Sequence, residues 1–366
     1  MRDISATWMR GGTSKCWVFD ADDLRVDGRT ADEVLLRLYG SPDPRQIDGV
    51  GGATSTTSKA VILSRSTRPG ADVDYTFAQV GIADGRVDRT SNCGNCSAVV
   101  GPWALRRGWV VPTGDVTEVR VHNTNTGQLI VLEVPTPGGR VVEEGHEHIP
   151  GVPTPGVGIR MWFVDPAGRT TGSLLPSGNP ADVVHGVPVT LVDAGAPVVV
   201  VPAAAVGITG HESPAEIDAL PGLLDRLDVL RRASAVRMGL ADTPRDAARA
   251  VPKLALVAEG APGRSDVAVR MLSMGRTHPA LAVTGSIALT LAARTAGTVL
   301  YDLVATERED LLIDTPAGVI ATVHGSRDGL PAVAVRRTAR RIADALLALP
   351  EPATAATVPT AAVHAA

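Results

Sequence analysis

The feature that most constrains how this chain of 366 residues folds is a faint internal repeat. In each copy a strand leads into a glycine-rich loop, at residues 9–14 in the first copy and 193–197 in the second. Farther along, residues 92–95 and 283–286 each open an apolar helix, and the glycine-to-glycine spacing from loop to helix is 83 and then 90 residues. The repeat predicts two similar halves related by a pseudo-twofold axis, with a site between them. Chance similarity of glycine-rich loops is the alternative.

The length and composition are typical of a soluble enzyme with two domains. A chain of this length allows each domain to bury a core of its own. Hydrophobic residues make up 44% and charged residues 20%, while aromatic residues are only 3%, so Val, Ala, Leu and Ile must build the core. We predict an N-terminal half at 1–185, a C-terminal half at 186–350, and a disordered tail at 351–366, where Ala, Thr and Pro follow no period.

Strand and helix signals alternate along the chain, which favours the α/β or α+β class. Strands are predicted where β-branched residues run between Gly, Pro or Asp, at 60–63, 119–122, 129–132, 189–192 and 198–201. Helices are predicted from apolar periodicity at 31–39, 96–107, 214–238, 286–296 and 339–348. The chain is therefore expected to combine many β-strands with a few helices.

The charge and hydropathy patterns exclude several classes of partner. The formal net charge is −4 and basic residues are scattered, so a nucleic-acid partner is not expected. No segment is long and apolar enough to span a bilayer, and the first residues lack the apolar stretch of a signal peptide, so we expect a cytoplasmic protein without a membrane partner. Three cysteines in a chain of this length argue against a disulfide framework.

Cys93 is the first candidate for chemistry, because it stands in Asn92-Cys93-Gly94-Asn95 before a predicted helix. Free N–H groups and the positive end of the helix dipole should lower the pKa of a thiol there, which would make the sulfur a usable base. The same N–H groups could hold a carboxylate, and Gly94 lets a ligand approach the backbone. The alternatives are a buried hydrophobic cysteine, or a redox pair or half metal site with Cys96. A zinc site needs more ligands than the remaining cysteine supplies, so no metal is predicted.

Lys59 is the second candidate, because it stands directly before the apolar strand predicted at 60–63. A lysine that enters a core strand should be partly desolvated, which favours the neutral amine that a base needs. The alternative is a lysine at a strand end whose ammonium reaches water.

Two further loops could bind anions. Arg10, with the glycines and hydroxyls of residues 11–14, could bind a carboxylate through its guanidinium fork, although this loop lacks the spacing of a phosphate loop. In the second half, the Gly285 and Ser286 amides head a predicted helix and could hold another carboxylate or an enolate oxygen. His278 could orient a substrate, or it could be a solvated loop histidine.

These motifs together strongly resemble the PrpF family, over about residues 5–325 in the same order. The matching segments are residues 9–15, 49–59, 92–95, 174–178 and 273–278, and the Gly-Gly-Ala-Thr-Ser-Thr-Thr-Ser-Lys block at 51–59 is the most specific of them. The family includes the 2-methylaconitate cis–trans isomerase, the methylitaconate Δ-isomerase and the 4-oxalomesaconate tautomerase.

The resemblance implies the diaminopimelate-epimerase-like fold, in which two similar halves each wrap strands around a central helix and the site lies in the cleft between them. It also implies that Lys59 and Cys93 match the catalytic lysine and cysteine of the family. Epimerases and racemases of this fold use two cysteines, and here the second position is Thr284, whose hydroxyl is too weak a base for that chemistry. The resemblance therefore favours the isomerase branch.

We therefore predict a cofactor-independent isomerase that shifts a proton and a C=C bond in an unsaturated di- or tricarboxylic acid, such as an aconitate or itaconate derivative. Substrate contacts are predicted from Arg10, Gly12, Thr13, Ser14, Ser58, Asn92, Gly94, Asn95, Ser273, Met274, Gly275, His278, Thr284, Gly285 and Ser286. The alternatives are a keto–enol tautomerase, an accessory protein without activity that assists a dehydratase, and an amino-acid epimerase or racemase. A homodimer and a functional pairing with an aconitase-like dehydratase are further expectations.

Overall fold

The computed structural model describes residues 2–90, 92–304 and 309–350, so the tail predicted at 351–366 lies outside the described residues. The strands are β1 (Arg2–Gly11), β2 (Ser14–Asp20), β3 (Lys59–Arg65), β4 (Val73–Val80), β5 (Val87–Asp88), β6 (Val116–Asn123), β7 (Gln128–Pro135), β8 (Val157–Val164), β9 (Asp182–Val184), β10 (Val187–Ala194), β11 (Ala196–Pro202), β12 (Lys253–Glu259), β13 (Val267–Ser273), β14 (Arg276–Thr277), β15 (Asp310–Thr315), β16 (Gly318–Arg327) and β17 (Leu330–Leu349). The helices are α1 (Ala31–Tyr39), α2 (Gly94–Ser97), α3 (Val100–Arg106), α4 (Pro214–Ala219), α5 (Leu223–Arg237) and α6 (Val283–Ala292), with short 3₁₀ turns at Pro137–Gly139 and Ala203–Val206.

The strand pairings repeat in the two halves, as the sequence predicts. In the N-terminal half, β1 pairs antiparallel with β2, β2 runs parallel to β3, β3 pairs antiparallel with β4, and β4 pairs with both β5 and β6. In the C-terminal half, β10, β11, β12, β13, β14 and β15 make the same pairings in the same order and with the same directions. The pairs β6–β7 and β7–β8 likewise correspond to β15–β16 and β16–β17.

The last strand, β17, ties the two halves together. Its first part pairs with β16 on the C-terminal side and with β8 on the N-terminal side, and its second part pairs with β1. The pairings from β1 through β2, β3, β4, β6, β7, β8 and β17 therefore return to β1 as a closed circuit. An isolated bridge between Ala167 and Ala194 closes the equivalent circuit in the C-terminal half. Because pairing crosses residue 185, the predicted division into 1–185 and 186–350 stays a prediction.

Each half is a strand layer that is covered on both faces. The inner faces pack around α2 and α3 in one half and around α6 in the other, and these helices share one continuous core. On the outside, α1 covers the strands of the N-terminal half, and α4 and α5 cover those of the C-terminal half. Strands with two buried faces have continuous apolar sequences, which makes them easy to predict. The strands predicted at 60–63 and 198–201 are confirmed as parts of β3 and β11.

The helix predictions are confirmed in part. The helix at 31–39 is confirmed as α1, which starts with a capping box between Thr30 and Glu33 and ends at Gly40 in the left-handed conformation. The predicted helix at 214–238 is divided into α4 and α5, because Pro221 and Gly222 interrupt it. The helix at 286–296 lies earlier, as α6, and the helix at 96–107 is replaced by α2 and α3.

The helix predicted at 339–348 is wrong, because these residues belong to the strand β17. Alanine, leucine and arginine favour a helix there, but β1 offers a row of backbone partners from Gly11 opposite Ala339 to Arg2 opposite Leu349, interrupted only by an irregularity between Trp8 and Met9. Tertiary pairing therefore overrides local propensity. None of the helices in the described part of the chain combines the length and apolar character needed to cross a bilayer.

Candidate active site

A cavity of about 170 Å³ lies where the N-terminal ends of α2 and α6 meet. The two ends are in close contact, since a Cβ atom added at Gly94 would lie 2.7 Å from Val283 Cβ and 3.5 Å from the Thr284 backbone nitrogen. Neither helix has a capping hydrogen bond from its N-cap side chain. Backbone N–H groups of both halves are therefore directed toward one small space.

Ten of the predicted site residues line this cavity. From the N-terminal half these are Ser14, Lys59, Asn92, Cys93, Gly94 and Asn95. From the C-terminal half they are Ser273, Met274, His278 and Thr284. The two candidate catalytic residues are thus brought together with hydroxyl, amide and imidazole groups from both halves.

The other predicted contacts lie behind the cavity wall. Arg10 donates hydrogen bonds to the Gly12 carbonyl and to Thr338, both at residues that do not line the cavity. Gly12 has a φ of +51° and packs directly against Asn95, and Thr13 accepts a hydrogen bond from the Asn95 amide. Arg10, Gly12 and Thr13 therefore support residues that face the cavity.

Ser58 and the remaining three residues also hold the wall from behind. The Ser58 hydroxyl donates to Gln46 Oε1 and accepts from the Gly52 amide, which orders the loop that precedes Lys59. Gly275 lies in a tight turn with a φ of +77°, and Ser286 donates to the Val283 carbonyl inside α6. Gly285 allows Met271 to pack against α6, because an added Cβ would lie 2.4 Å from Met271 Cε. Direct substrate contacts from these residues stay a prediction.

Lys59 is buried, and a defined partner holds its terminal amino group. It is the first residue of β3, and its Nζ donates a hydrogen bond of 2.7 Å to Gln79 Oε1 on the neighbouring strand, where the two residues stand directly opposite. The Gln79 amide in turn donates to the Ser58 carbonyl, and the Phe77 ring centroid lies 4.9 Å from Lys59 Nζ. The side chain is therefore oriented into the cavity, and the alternative of a lysine that reaches bulk water is wrong.

The expectation of a lowered pKa at Cys93 is wrong. Hydrogen bonding to the Cys96 side chain and burial raise the pKa of the Cys93 thiol well above its usual range, and nearby Lys59 offsets this only in part. The helix that follows has four residues, so its dipole is small. Cys96 and Cys16 are both buried beside it. In the free protein, Cys93 is therefore a protonated thiol.

His278 faces the cavity as a neutral imidazole. Its Nδ1 accepts a hydrogen bond of 3.0 Å from the Ala280 amide, which leaves the proton on Nε2. Burial lowers the pKa of the imidazole to about 4. His278 can therefore donate one hydrogen bond to a ligand at neutral pH.

Sequence reasoning missed several residues of the wall. In the N-terminal half these are Ser55, Thr56, Phe77, Gln79 and Asp88. In the C-terminal half they are Ala250, Lys253, Arg276, Thr277, Pro279, Ala282 and Val283. Ser55 and Thr56 belong to the most specific sequence block, and Lys253 opens an apolar strand just as Lys59 does, so both signals were present in the sequence.

Positive charge predominates in the cavity. Lys59, Lys253 and Arg276 line it together with one carboxylate, that of Asp88, which accepts hydrogen bonds from Thr90. Within residues 2–90, 92–304 and 309–350, no group of three or more His, Cys, Asp or Glu side chains is placed to hold a metal ion. The arrangement suits an anionic ligand with more than one carboxylate.

Comparison with known proteins relates nearly the whole chain to one family. The family model described as PrpF protein matches residues 1–350. A (4E)-oxalomesaconate Delta-isomerase of Novosphingobium sp. (strain KA1) is 42% identical over 352 residues, which cover 95% of this chain and 98% of that protein. A 4-oxalomesaconate tautomerase of Pseudomonas putida is also 42% identical, over 94% of this chain and 96% of that protein.

Solved structures agree with the sequence matches. The crystal structure of a methylitaconate-delta-isomerase superposes with a TM-score of 0.81 and 38% identity, and covers 94% of this chain and 95% of that chain. A hydroxyproline epimerase from Agrobacterium vitis superposes with a TM-score of 0.56 and 13% identity, over 96% of this chain and 94% of that chain, which is a likeness of fold alone. The fold expected from the sequence is confirmed.

Proposed function

Because the chain belongs to the PrpF family, we propose that it shifts a proton and a C=C bond in an unsaturated di- or tricarboxylic acid, without a cofactor. The protein is an isomerase, as are the relatives that match it over nearly their full length. The observation that carries the substrate class is the cavity itself, where buried amines and a protonated thiol face uncapped helix amides. Aconitate and itaconate derivatives have the carboxylates and the allylic C–H bond that such a site would use.

Carboxylates of the substrate would bind to the positive groups at the two helix ends. Amides at the start of α6, the hydroxyls of Ser14 and Thr284, and Nε2 of His278 are donors at the wall, and Arg276 stands at its exposed edge. Asn92 Oδ1 is buried and has no hydrogen-bond partner among the described residues. An amide oxygen only accepts hydrogen bonds, so the carboxylates of a bound acid would pair with the amide, hydroxyl and imidazole donors and not with Asn92 Oδ1.

The proton shift would begin at the carbon γ to a carboxylate across the double bond. Lys59 or Cys93 removes this proton, and the raised pKa of Cys93 favours Lys59. The C–H electron pair delocalises into a dienolate, whose oxygens are stabilised by backbone N–H groups and by ammonium charge. The proton then returns at another carbon, from the same group or from a partner. Stabilisation of the dienolate by several kcal/mol must contribute most of the rate enhancement, since a single donor of this kind is worth about 3–4 kcal/mol.

A 4-oxalomesaconate-type keto–enol tautomerisation is the second candidate. It uses the same proton removal and the same stabilised enolate on an oxo acid, and one relative is named for that activity. An amino-acid epimerase is disfavoured because Thr284, not a second cysteine, lines the cavity from the C-terminal half. Action on polycarboxylates as a cytoplasmic homodimer, paired with an aconitase-like dehydratase, stays a prediction.

The test is solvent exchange with a panel of acids. The protein is incubated in D₂O with cis- and trans-aconitate, 2-methylaconitate, itaconate derivatives and 4-oxalomesaconate, and proton NMR records isomerisation and loss of C–H signals. We expect one acid to isomerise and Lys59→Ala to lose that activity, while Cys93→Ser tests whether the thiol takes part in the proton transfer. Tight binding of an acid without exchange at any carbon would instead identify an accessory protein.

A further inference from the structure

Lysine is rare in this chain, and its positions are informative. The chain has 35 Lys and Arg residues together, but only Lys15, Lys59 and Lys253 are lysines. Arginine meets the need for positive charge almost everywhere else. Arginine stays protonated in proteins, whereas a buried lysine readily becomes a neutral base. Two of the three lysines, Lys59 and Lys253, line the cavity.

The internal repeat places Lys59 and Lys253 at equivalent positions. Lys59 is the first residue of β3 and Lys253 is the first residue of β12, and these strands occupy the same place in their halves. Side chains alternate along a strand, so Lys253 shares the inner face with Ala255 and Val257, as Lys59 does with Val61. The cavity therefore receives one lysine from each half.

The surroundings of Lys253 differ from those of Lys59. Both side chains are buried, but Lys253 Nζ has no hydrogen-bond or ion-pair partner within the described part of the chain, whereas Lys59 Nζ has Gln79. A buried ammonium without a partner is unfavourable, and it is also accessible to a ligand in the cavity. Burial lowers the pKa of Lys253 to about 8, with Lys59 acting in the same direction.

The charges that face Lys253 are few. Asp88 opposes the effect of burial on its pKa, and Cys93 does so only as a thiolate. The remaining titratable groups of the cavity wall are Lys59, Arg276 and the neutral His278. Arg276 is mostly exposed and forms an ion pair with Asp218. None of these groups forms an ion pair with Lys253 that would keep its amine protonated near neutral pH.

We propose that Lys253 is a second proton-transfer residue, which acts on the substrate from the C-terminal half while Lys59 acts from the N-terminal half. This inference rests on the isomerase function proposed above. It assigns the return of the proton, which that function leaves open.

The proton balance is complete without a further reactant. In one direction the neutral Lys59 amine takes the proton from the first carbon, and the C–H electron pair enters the dienolate. The Lys253 ammonium then gives its proton to the second carbon, where the dienolate electrons form the new C–H bond. Afterwards Lys59 releases a proton to water and Lys253 takes one up, and the reverse reaction exchanges the two roles.

The test separates proton transfer from simple carboxylate binding. Lys253→Arg keeps the positive charge but cannot transfer a proton. Lys253→Met keeps a side chain of similar length and removes both the charge and the transferable proton. The matched controls are Lys15→Arg and Lys15→Met, because Lys15 lies on the outer face of β2, 4.7 Å from the Trp8 ring centroid. For the acid that the wild type converts, kcat, KM and their pH dependence are measured, and NMR in D₂O follows each carbon.

We expect both Lys253 variants to lose roughly 100-fold or more in kcat, the usual range for a lost general acid or base. Lys253→Arg should keep its KM and lose the ionisation near pH 8. Deuterium should still enter the starting acid at the first carbon, because Lys59 is intact, while product formation fails. The Lys15 variants should match the wild type.

Other outcomes contradict the inference. A Lys253→Arg variant with wild-type kcat and pH profile would make Lys253 a charge that binds a carboxylate, and loss only in KM would mean the same. If the wild type itself converts no acid of the panel, the proposed function fails and the inference fails with it. An active wild type with unimpaired Lys253 variants overturns the inference alone.

Discussion

The stability of the protein should reflect the buried Lys253 amine. Because burial lowers its folded-state pKa to about 8, the unfolded chain binds more protons between about pH 8 and the ordinary lysine value near 10.5. The resulting penalty is full below pH 8 and disappears as the pH rises through 10.5. We therefore expect Lys253→Met to raise the free energy of unfolding at pH 7 by up to about 3 kcal/mol.

Urea denaturation at pH 7 and pH 10.5 measures this effect. The gain should shrink at the higher pH, and Lys15→Met should show no gain at either. A variant that is more stable but less active would show that the wild-type protein loses stability by keeping this amine for its function. Equal gains at both pH values would mean that packing, not charge, is responsible.

The raised pKa of Cys93 predicts slow reaction with alkylating reagents. The thiolate is the reactive form, and little of it is present near neutral pH when hydrogen bonding to Cys96 and burial disfavour it. We expect iodoacetamide to modify Cys93 much more slowly than a free cysteine at pH 7, and Lys59→Met to slow it further because Lys59 favours the thiolate. Mass spectrometry against pH measures both rates, and rapid modification at pH 7 would refute the assignment.

The chemistry of single residues could be predicted only where it depends on the local sequence. Cys93 and Lys59 belong to recognisable motifs, and both line the cavity. The pKa of Cys93 was predicted with the wrong sign because Cys96 and burial outweigh a four-residue helix, and Cys16 reaches the same cluster from a distant strand. Lys253 was missed because its meaning depends on the match between β3 and β12.

At the scale of elements, the contact between α2 and α6 controls how the halves meet. A Cβ added at Gly94 would lie 2.7 Å from Val283 Cβ, which is too short for carbon atoms and cannot be relieved by a flexible side chain. We expect Gly94→Ala to cost about 1–3 kcal/mol in unfolding free energy, as overpacked cores do, and to lower kcat by displacing the cavity wall.

The matched control for this element is Gly85→Ala. Gly85 has no atom within 4 Å of an added Cβ and no positive φ, so the substitution should be nearly neutral. Urea denaturation and the acid that the wild type converts measure both variants. If Gly94→Ala behaves like Gly85→Ala, the two helix ends do not set the geometry of the cavity.

Elements were predictable where local pattern and tertiary environment agree. Apolar runs in β3 and β11, and the capped helix α1, carry their own signals. The segment 339–348 carries no local signal for a strand, since its residues favour a helix and only pairing with β1 makes it extended. Such a partner lies more than 300 residues away in the sequence and has no local signature.

For the whole molecule, β17 should decide whether the chain folds at all. A chain that ends at Ala339 loses the pairing of β17 with β1 and leaves β1 with an open edge. We expect it to lose cooperative unfolding and to aggregate. A chain that ends at Pro350 keeps every described strand and should unfold like the wild type.

Circular dichroism during thermal unfolding and size-exclusion chromatography measure both truncations. Cooperative unfolding of the shorter chain at the wild-type temperature would show that β17 contributes little. The repeat could be predicted from glycine spacing, and the equivalent strand pairings of the two halves confirm it. The helices that the repeat predicts near residues 92–95 and 283–286 begin at Gly94 and Val283. The exchange of strands between the halves could not be predicted, because a repeat suggests two independent units.

The position of β17 also has a consequence for synthesis on the ribosome. β1 is synthesised more than 300 residues before β17, so the N-terminal half cannot complete its circuit of strands until β17 has been made. At roughly 5–20 residues per second, β1 waits on the order of 20–60 s with one edge unpaired. A nascent chain with such an edge is a natural client for a holding chaperone, and slower translation lengthens its exposure.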